Sequence, residues 1–412
     1  MVQCGALAED KRRFPRLLRR LQKAFFLDTE YRPLAARERL IEQYKKDGLV
    51  LFLGAGVSRG SGIPSWPELA DALLLKSGVA PDELESVKKV LPSYITQFEL
   101  AGELLGTYKG LVVAIYQGLY ERMECKSLLE GIPLKFEEQI GWRGWDDVLK
   151  VLQANKTLEG VGNLLITYDG GVAKRNPQIH AVLTFNADNL LELYCEAKTG
   201  RKLVVTLVDR ASIGEHPNQV PIYHLHGTLD ARGENVLRSV PSSAPPGELQ
   251  ELTDDLLPDL VFRESEYYET IANPVSFVNH TPQSFLRRLN ALFVGTSLDD
   301  LNMRRWLHDS FRERVAHRAK YLREFYWIPY ADAEYEAKLE SLRHFWLRPE
   351  TEKNADGTTK FVPKKYVEPV MNNLGIQVVW CTDYNDMQRC LGEVQRRGND
   401  PEFGRRIPDY PS

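Results

Sequence analysis

Several short apolar runs along the chain end in small or polar residues and are followed by helical patterns. The first run, Leu49 to Leu53, lacks the alternation of a strand with one solvated face. A continuous apolar run of this length predicts a parallel strand covered on both faces. Further runs of this kind occur in "HAVLTFNADNLLELYCEA", "VPIYHLHGTLD", "ALFVGTSLDDLNMRRWL", "EFYWIPY" and "IQVVWC". Their alternation with helices predicts an α/β fold built on a doubly wound, mostly parallel, Rossmann-like sheet.

Other parts of the chain depart from this alternation and suggest its domain organisation. Residues 1–45 predict a basic helical arm, which either packs on its own domain or contacts a partner. Residues 46–397 form the predicted main domain, with a helical insertion at about 82–175 between the first two strands. Residues 398–412 are a predicted C-terminal tail. Within the main domain, the Ser-, Pro- and acid-rich stretch 234–262 predicts a surface loop or lid.

Small or polar residues follow three further predicted strands. They are Thr184, Asn186 and Asp188 after the second strand, His224, His226, Gly227 and Thr228 after the third, and Gly295, Thr296 and Ser297 after the fourth. Each alone has an ordinary explanation, since an Asn in such a turn is usually a helix cap and a single His is usually structural. Because ligands bind at the carboxyl ends of strands in open α/β sheets, their combination predicts one binding site at that edge.

The stretch "LVLFLGAGVSRGSGIPSW", residues 49–66, places a glycine-rich loop between the first strand and a helix. Gly54 and Gly56 permit a tight turn and close approach to the main chain. Free N–H groups and the positive end of the helix dipole predict a phosphate-binding loop. Glycine turns without a ligand are also common, and the dinucleotide fingerprint is imperfect because Arg59 takes its sixth position and the glycine comes late, at Gly60.

Composition narrows the class of protein. The 412 residues are 43% apolar and 27% charged, as in folded globular proteins, and the net charge of −4 gives no overall basic field, so nucleic-acid binding stays open. Five scattered cysteines without a C-x-x-C pair suggest reduced thiols in a cytoplasmic protein. No apolar run approaches about 18 residues, so no membrane span is expected. No ligand set at metal-binding spacing is visible, so no metal is expected.

Four motifs, in this order, resemble those of sirtuins, the SIR2 superfamily. "GAGVSRGSGIPSW" looks like their glycine-rich loop, "TFNAD" like their T-x-N-x-D element, "HLHGT" like their His-Gly motif and "VGTSL" like their Gly-Thr-Ser-Leu motif. The resemblance covers roughly residues 46–397, apart from the helical insertion. "NADNLLE" and "RESEYYE" make the chain most similar to bacterial SIR2-like proteins of antiphage defence.

The chain departs from deacylating sirtuins in one respect that bears on its chemistry. Those proteins carry two C-x-x-C pairs between the His-Gly and Gly-Thr-Ser motifs, whereas residues 229–294 contain no cysteine. The resemblance therefore implies a zinc-free member without an evident acyl-lysine groove. The chemistry that remains is cleavage of the nicotinamide–ribose bond of NAD, with water as the nucleophile.

The resemblance also implies roles for individual residues. Asn186 would hold the ribose and position the water, and His226 would contact a ribose hydroxyl and act as the base. Further contacts with NAD would come from Gly54, Ala55, Gly56 and Ser58 at the pyrophosphate, Asp188 near the nicotinamide side, Thr296 and Ser297 at the phosphate or ribose on the adenosine side, and Arg59 at the phosphates or in solvent. Thr184 and Gly295 are further candidate NAD-binding residues.

The function implied by this resemblance is that of an NAD+ hydrolase that depletes NAD in abortive antiphage defence. Members of this group form homo-oligomers, some with a separately encoded partner such as a HerA-type ATPase or a short Argonaute. Two alternatives stay open, namely a sensor that binds NAD or ADP-ribose without turnover, and an ADP-ribosyl or deacyl transferase.

Overall fold

The computed structural model describes seven ranges of the chain, 33–123, 126–132, 144–209, 216–233, 257–326, 328–353 and 359–400. Most of the predicted N-terminal arm, residues 234–256 of the predicted lid and nearly all of the predicted tail lie outside these ranges. The boundaries of the predicted domains therefore stay predictions.

A seven-stranded sheet forms the centre of the described part of the molecule. Its strand order is β11-β8-β7-β1-β4-β6-β5, and every pairing in it is parallel. The strands are β1 Leu49–Leu53, β4 Ile179–Thr184, β5 Val204–Leu207, β6 Val220–His224, β7 Ala291–Val294, β8 His344–Pro349 and β11 Ile376–Cys381. This arrangement confirms the predicted α/β class and doubly wound sheet. The strand tips named from the sequence all lie on one edge, since parallel strands share their carboxyl side.

Helices cover the sheet, and two short hairpins lie outside it. The helices are α1 Pro33–Asp47, α2 Trp66–Lys76, α3 Leu84–Val90, α4 Tyr94–Leu105, α5 Tyr108–Tyr120, α6 Lys126–Glu130, α7 Trp145–Ala154, α8 Lys156–Leu164, α9 Leu190–Thr199, α10 Glu264–Ala272, α11 Phe277–Arg288, α12 Leu301–Tyr326, α13 Tyr330–Glu340, α14 Lys364–Asn372 and α15 Tyr384–Gly398. The hairpins pair β2 Ile166–Asp169 with β3 Val172–Arg175 and β9 Thr351–Lys353 with β10 Thr359–Phe361. The first hairpin lies at the end of the stretch predicted as a helical insertion.

Strand β1 shows why the sheet is buried on both faces. Leu49, Leu51 and Leu53 belong to the hydrophobic core on one side, and Val50 and Phe52 belong to the core on the other. All five side chains are almost completely buried. Burial of each such side chain stabilises the folded state by about 1.5–3 kcal/mol, so β1 holds the start of the following loop in a fixed position.

The strand predicted at "EFYWIPY" is wrong. Helix α12 continues to Tyr326, Trp327 lies outside the described residues, and α13 begins at Tyr330. Residues at helical spacing on α12, including Phe311, Val315, Ala319 and Leu322, pack against α13. Phe325, Tyr326 and Tyr330 of the run are exposed. Packing of the helix pair therefore overrides the β preference of the aromatic residues. The sheet instead continues through β8, which the pattern did not indicate.

Two helical glycines provide a matched test of the packing behind the site. A Cβ at Gly162 of α8 would lie 2.2 Å from Tyr194 Cδ1 on α9, whereas a Cβ at Gly392 of α15 would meet nothing within 4 Å. Gly162→Ala should lower the free energy of unfolding by about 1–3 kcal/mol through overpacking. Gly392→Ala should raise it by about 0.5–1 kcal/mol through helix propensity. Urea unfolding measures both, and equal effects of the same sign would contradict the α8–α9 contact.

Candidate functional site

The side chain of Asn186, two residues beyond the end of β4, is held in one orientation. Its Nδ2 donates to the main-chain oxygen of Gly54 at 3.1 Å and to Ser58 Oγ at 3.3 Å. Because a main-chain oxygen can only accept, the amide nitrogen must face the glycine loop. The opposite atom, Asn186 Oδ1, is buried and has no hydrogen-bond partner among the residues that the structure describes. An orphaned acceptor of this kind is suited to a water molecule or a ligand hydroxyl.

A directional chain of hydrogen bonds continues from Asn186 to Asp188. Ser58 Oγ accepts from Asn186 and donates to Asp188 Oδ1 at 2.8 Å. Asp188 Oδ1 also accepts from the main-chain N–H of Leu190 at 3.3 Å. Burial raises the pKa of Asp188 to about 6, against the opposing effect of these two donors. When ionised, Asp188 can only accept, so it keeps the Ser58 hydroxyl proton directed away from Asn186.

His226 follows β6 in a turn and lies among aromatic rings. Its ring centroid is 5.0 Å from Phe185, 6.1 Å from Trp66 and 6.3 Å from Tyr267. Its Nδ1 is buried without a hydrogen-bond partner. Desolvation lowers its pKa to about 4, partly offset by the charge of Asp300. The imidazole is therefore neutral near pH 7 and can accept a proton.

The aromatic cluster around His226 consists of Trp66, Tyr94, Phe98, Phe185, Phe262 and Tyr267. The Tyr267 hydroxyl donates to the Asp300 carboxylate and accepts from Asn302 Nδ2 at 3.1 Å. Sequence reasoning did not assign these side chains to the site, because they come from loops and helices far apart in the chain. Three quoted stretches carried a signal, "IPSW", "TFNAD" and "RESEYYE", which contain Trp66, Phe185 and Tyr267.

The glycine after His226 is required by the segment that passes it. Gly227 has a φ of 78°, and a Cβ there would lie 2.1 Å from the main-chain oxygen of Asp259. The main-chain N–H of Val261 donates to the oxygen of His226 at 3.2 Å. The described end of the predicted lid, 257–262, thus packs directly against the His-Gly turn.

His224 has different partners from His226, although residues two apart on a strand normally lie on the same face. β6 ends at His224, and the turn that follows redirects the chain. The His224 ring is 1% exposed, with Nδ1 2.9 Å from the main-chain oxygen of Asn186 and Nε2 2.7 Å from Glu192 Oε1. It therefore lies behind the site rather than in it.

The glycine loop is built for contact with another loop. A Cβ at Gly54 would lie 2.7 Å from the main-chain oxygen of Gly295, and one at Gly56 would lie 2.8 Å from the same oxygen. Gly295 has a φ of 68°, and a Cβ there would lie 2.5 Å from the main-chain nitrogen of Val57. The loops after β1 and β7 therefore pack backbone against backbone, which explains their glycines without a ligand.

The prediction that the glycine loop presents free N–H groups is wrong for four positions. The N–H groups of Gly54, Gly56, Val57 and Ser58 donate to the main-chain oxygens of Val294, Gly295, Gly54 and Ala55. The N-terminus of α2 is also occupied, since Glu68 Oε2 accepts from both N and Oγ of Ser65 at 2.7 Å. Exposed Arg59 pairs with Glu68 at 3.0 Å. Glu68 thus caps α2 and pairs with Arg59.

The other predicted contacts lie in the same region. Thr184 is buried, and its hydroxyl accepts from the N–H of Asn186 at 3.0 Å. Thr296 and Ser297 hydroxyls accept from N–H groups two residues further on, and the Trp346 indole donates to the Thr296 oxygen at 3.0 Å. The structure thus joins Gly54, Ser58, Thr184, Asn186 and Asp188 in one network and places the β7 loop against it. Their roles in binding a ligand stay predictions.

A cavity of about 290 Å³ lies on the far side of His224. Its lining includes Glu192 and Glu196 of α9, Thr206 of β5, and Asp230 and Arg232 beyond β6. Neither His226 nor the glycine loop contributes to it. Within the described ranges, no three His, Cys, Asp or Glu side chains are grouped so that they could hold a metal ion. Of the helices that the structure describes, none combines the length and apolarity needed to cross a bilayer.

Comparison with known families gives one result. Residues 180–349 match the family model described as SIR2-like domain. The match includes the ends of β4, β6 and β7, with Asn186, His226 and Gly295. Domains of this kind bind NAD, so the match indicates NAD-related activity in general. A search of curated proteins gave no significant match.

The contact between the two loops can be tested with a pair of glycines that share a positive φ. Gly106, at the end of α4, has a φ of 71°, and no atom of the described residues lies within 4 Å of where its Cβ would be. At Gly295 the loop after β1 fills that space. Gly106→Ala should lower the free energy of unfolding by about 1–2 kcal/mol through backbone strain alone. Gly295→Ala should cost about 1–3 kcal/mol more because the loops must separate. Equal losses in urea unfolding would show that the loop contact is not required.

Proposed function

Because the chain carries a SIR2-like domain at residues 180–349, we propose that it is an NAD+ hydrolase. The reaction consumes NAD+ and water and yields nicotinamide, ADP-ribose and a proton. The observation that carries the proposal is a pair of buried, unpartnered polar atoms, Asn186 Oδ1 and His226 Nδ1, at the ends of neighbouring strands. Buried polar atoms in a folded protein are normally satisfied, so two of them at one strand edge favour a polar ligand.

The reaction needs little help for its leaving group, because nicotinamide departs as a neutral molecule from a positively charged ring. The burden is to orient the ribose, support the cationic C1′ centre and place the water. Asn186 Oδ1 accepts a hydrogen bond from the attacking water, because the amide nitrogen is already committed to Gly54 and Ser58. Neutral His226 accepts a hydrogen bond from a ribose hydroxyl and takes up a proton as the reaction proceeds.

The aromatic cluster supports this assignment by its chemistry. Its flat apolar faces suit the nicotinamide ring and exclude bulk water, so that only a positioned water reaches C1′. Asp300 lies beyond the Tyr267 hydroxyl and is the charge that acts on His226. The Asp300 carboxylate therefore favours positive charge on His226 through its electrostatic field, with no hydrogen bond to the imidazole.

The wider role follows from the resemblance of the motifs. On this basis we also propose three features of its biology: NAD depletion in antiphage defence, assembly as a homo-oligomer, and control by a separately encoded partner. An enzyme that drains NAD must be held inactive in a growing cell, so a partner or assembly state is the natural control.

Removal of either catalytic side chain should abolish NAD cleavage. Asn186→Ala and His226→Ala should each lower kcat by about 10²–10⁴-fold, since each removes a group that acts on the reacting atoms. His308→Ala, at an exposed position on α12, is the control and should retain wild-type turnover. Chromatography of NAD, nicotinamide and ADP-ribose measures the reaction. Full turnover in both site variants would contradict the proposed site. Intact NAD with the wild type would favour a binding module.

The acid limb of the pH profile should report Asp188. Its pKa of about 6 predicts that kcat/KM falls as the pH drops through 6, because the protonated carboxyl no longer fixes the Ser58 hydroxyl. Asp188→Asn keeps the shape and an acceptor oxygen but does not titrate, so this limb should disappear. The next limb should then come from His226 near pH 4. A limb that stays near pH 6 in Asp188→Asn would contradict this assignment.

A further inference from the structure

We propose that Glu192 and His224 are a positioning pair that holds the main chain of Asn186 in the geometry required for catalysis. The proposal rests on the proposed hydrolase activity and extends it to two residues that contact neither NAD nor water in the reaction.

The pair connects three elements to the end of β4. His224 at the end of β6 donates from Nδ1 to the main-chain oxygen of Asn186 at 2.9 Å. Its Nε2 lies 2.7 Å from Glu192 Oε1 on α9, and the same oxygen accepts from Thr206 Oγ1 of β5 at 3.1 Å. Both members are nearly or fully buried. Such a connection transmits the position of α9 and β5 directly to Asn186.

The protonation state of His224 follows from these contacts. A main-chain oxygen and a carboxylate are both acceptors, so only the imidazolium can donate to both. Burial works against this charge, but the Glu192 carboxylate, its hydrogen bond, the Asn186 oxygen and the charge of Asp188 together raise the pKa of His224. The facing charged groups are thus Glu192 on α9 and Asp188 beyond β4. Above that pKa the neutral ring would turn a lone pair towards Glu192, and the pair would break.

Asn186 depends on this support because it lies beyond the hydrogen-bonded ladder of β4. Its N–H is held by Thr184 Oγ1, its oxygen by His224, and its side chain by Gly54 and Ser58. Loss of one anchor lets the side-chain oxygen move relative to the ribose. A displacement of about 1 Å can cost on the order of 10²-fold in rate even when the changed residue is remote from the chemistry.

The competing explanation is a buried ion pair that only stabilises the fold. The two explanations differ in what happens to the folded enzyme. A structural pair would change the unfolding midpoint and leave kcat and the pH profile of the folded protein as they were. A positioning pair would change kcat more than KM and would give the wild type an alkaline limb that depends on Glu192.

Two substitutions at Glu192 separate charge from hydrogen bonding. Glu192→Ala removes the partner of His224 and should lower kcat by about 10²-fold, with KM changed by less than about threefold. Glu192→Gln keeps a hydrogen-bonding partner, because its amide can donate to the neutral imidazole, and should restore kcat to within about threefold of wild type. The wild type should lose kcat/KM as the pH rises through the raised pKa of His224. Glu192→Gln should lack that limb, because its neutral pair does not need the imidazolium.

His344→Gln is the matched control. His344 is fully buried and accepts from the main-chain N–H of Ala291 at 3.1 Å, but it lies at the amino end of β8, the opposite edge of the sheet. Its substitution should alter thermal stability and leave the alkaline limb unchanged. Wild-type kcat in folded Glu192→Ala, or an unchanged alkaline limb in Glu192→Gln, would overturn the proposal. If Glu192→Ala does not fold, the presence or absence of the alkaline limb in Glu192→Gln decides between the two explanations.

Failure of the hydrolase proposal would be seen separately. If the full-length wild type leaves NAD intact both alone and with a candidate partner, the proposed function is overturned, and calorimetric titration with NAD then tests the positioning pair. In a binding module Asn186 Oδ1 would contact NAD itself rather than an attacking water, so NAD affinity lowered about tenfold or more in Glu192→Ala and restored in Glu192→Gln would support the pair. Equal affinity in the wild type and both variants would overturn it.

Discussion

The close contact between the loops after β1 and β7 is the constraint on which the site depends. Gly54 and Gly56 have no room for a Cβ because the main chain of Gly295 fills that space. The contact fixes where the Gly54 oxygen points, and that oxygen in turn orients the Asn186 amide. A side chain at any of the three glycines would separate the tips of neighbouring strands. The glycines therefore set the geometry of the site through backbone packing, whether or not they also contact a phosphate.

Burial acts on three ionisable groups near this edge with different results. It disfavours the charged form of each, so it raises the pKa of Asp188 and lowers that of His226. His224 is equally enclosed, yet its pKa is raised because Glu192 supplies a charge and a hydrogen bond. Two histidines separated by one residue are thus prepared for opposite states, one as a neutral acceptor and the other as a charged donor. Neighbouring residues decide this difference.

Much of the fold was predictable because the strands are buried on both faces. Continuous apolar runs mark β1, β4, β6, β7 and β11, and the following helices have clear periodicity. The elements that were predicted wrongly or missed also have physical explanations. The "EFYWIPY" run has β propensity, but its neighbours at helical spacing on α12 bury more surface as a helix. Strand β5, at the edge of the sheet, contains polar Thr206 and is only partly buried at Val205 and Thr206, so it lacks the continuous buried apolar pattern of the inner strands.

By itself, the sequence determined the class of fold and the shared edge of the strand tips, because these depend on local pattern and on the parallel topology that it implies. The two candidate catalytic residues came from the resemblance of its motifs. Tertiary structure decided which N–H groups are occupied, which of the two neighbouring histidines faces the aromatic cluster, and which acid supports the other. Trp66, Glu192 and Tyr267 reach the region from separate elements, and no local pattern records that meeting. Distances between side chains from distant segments are set by tertiary packing. These distances determine the orientation of Asn186 and the charge state of each histidine.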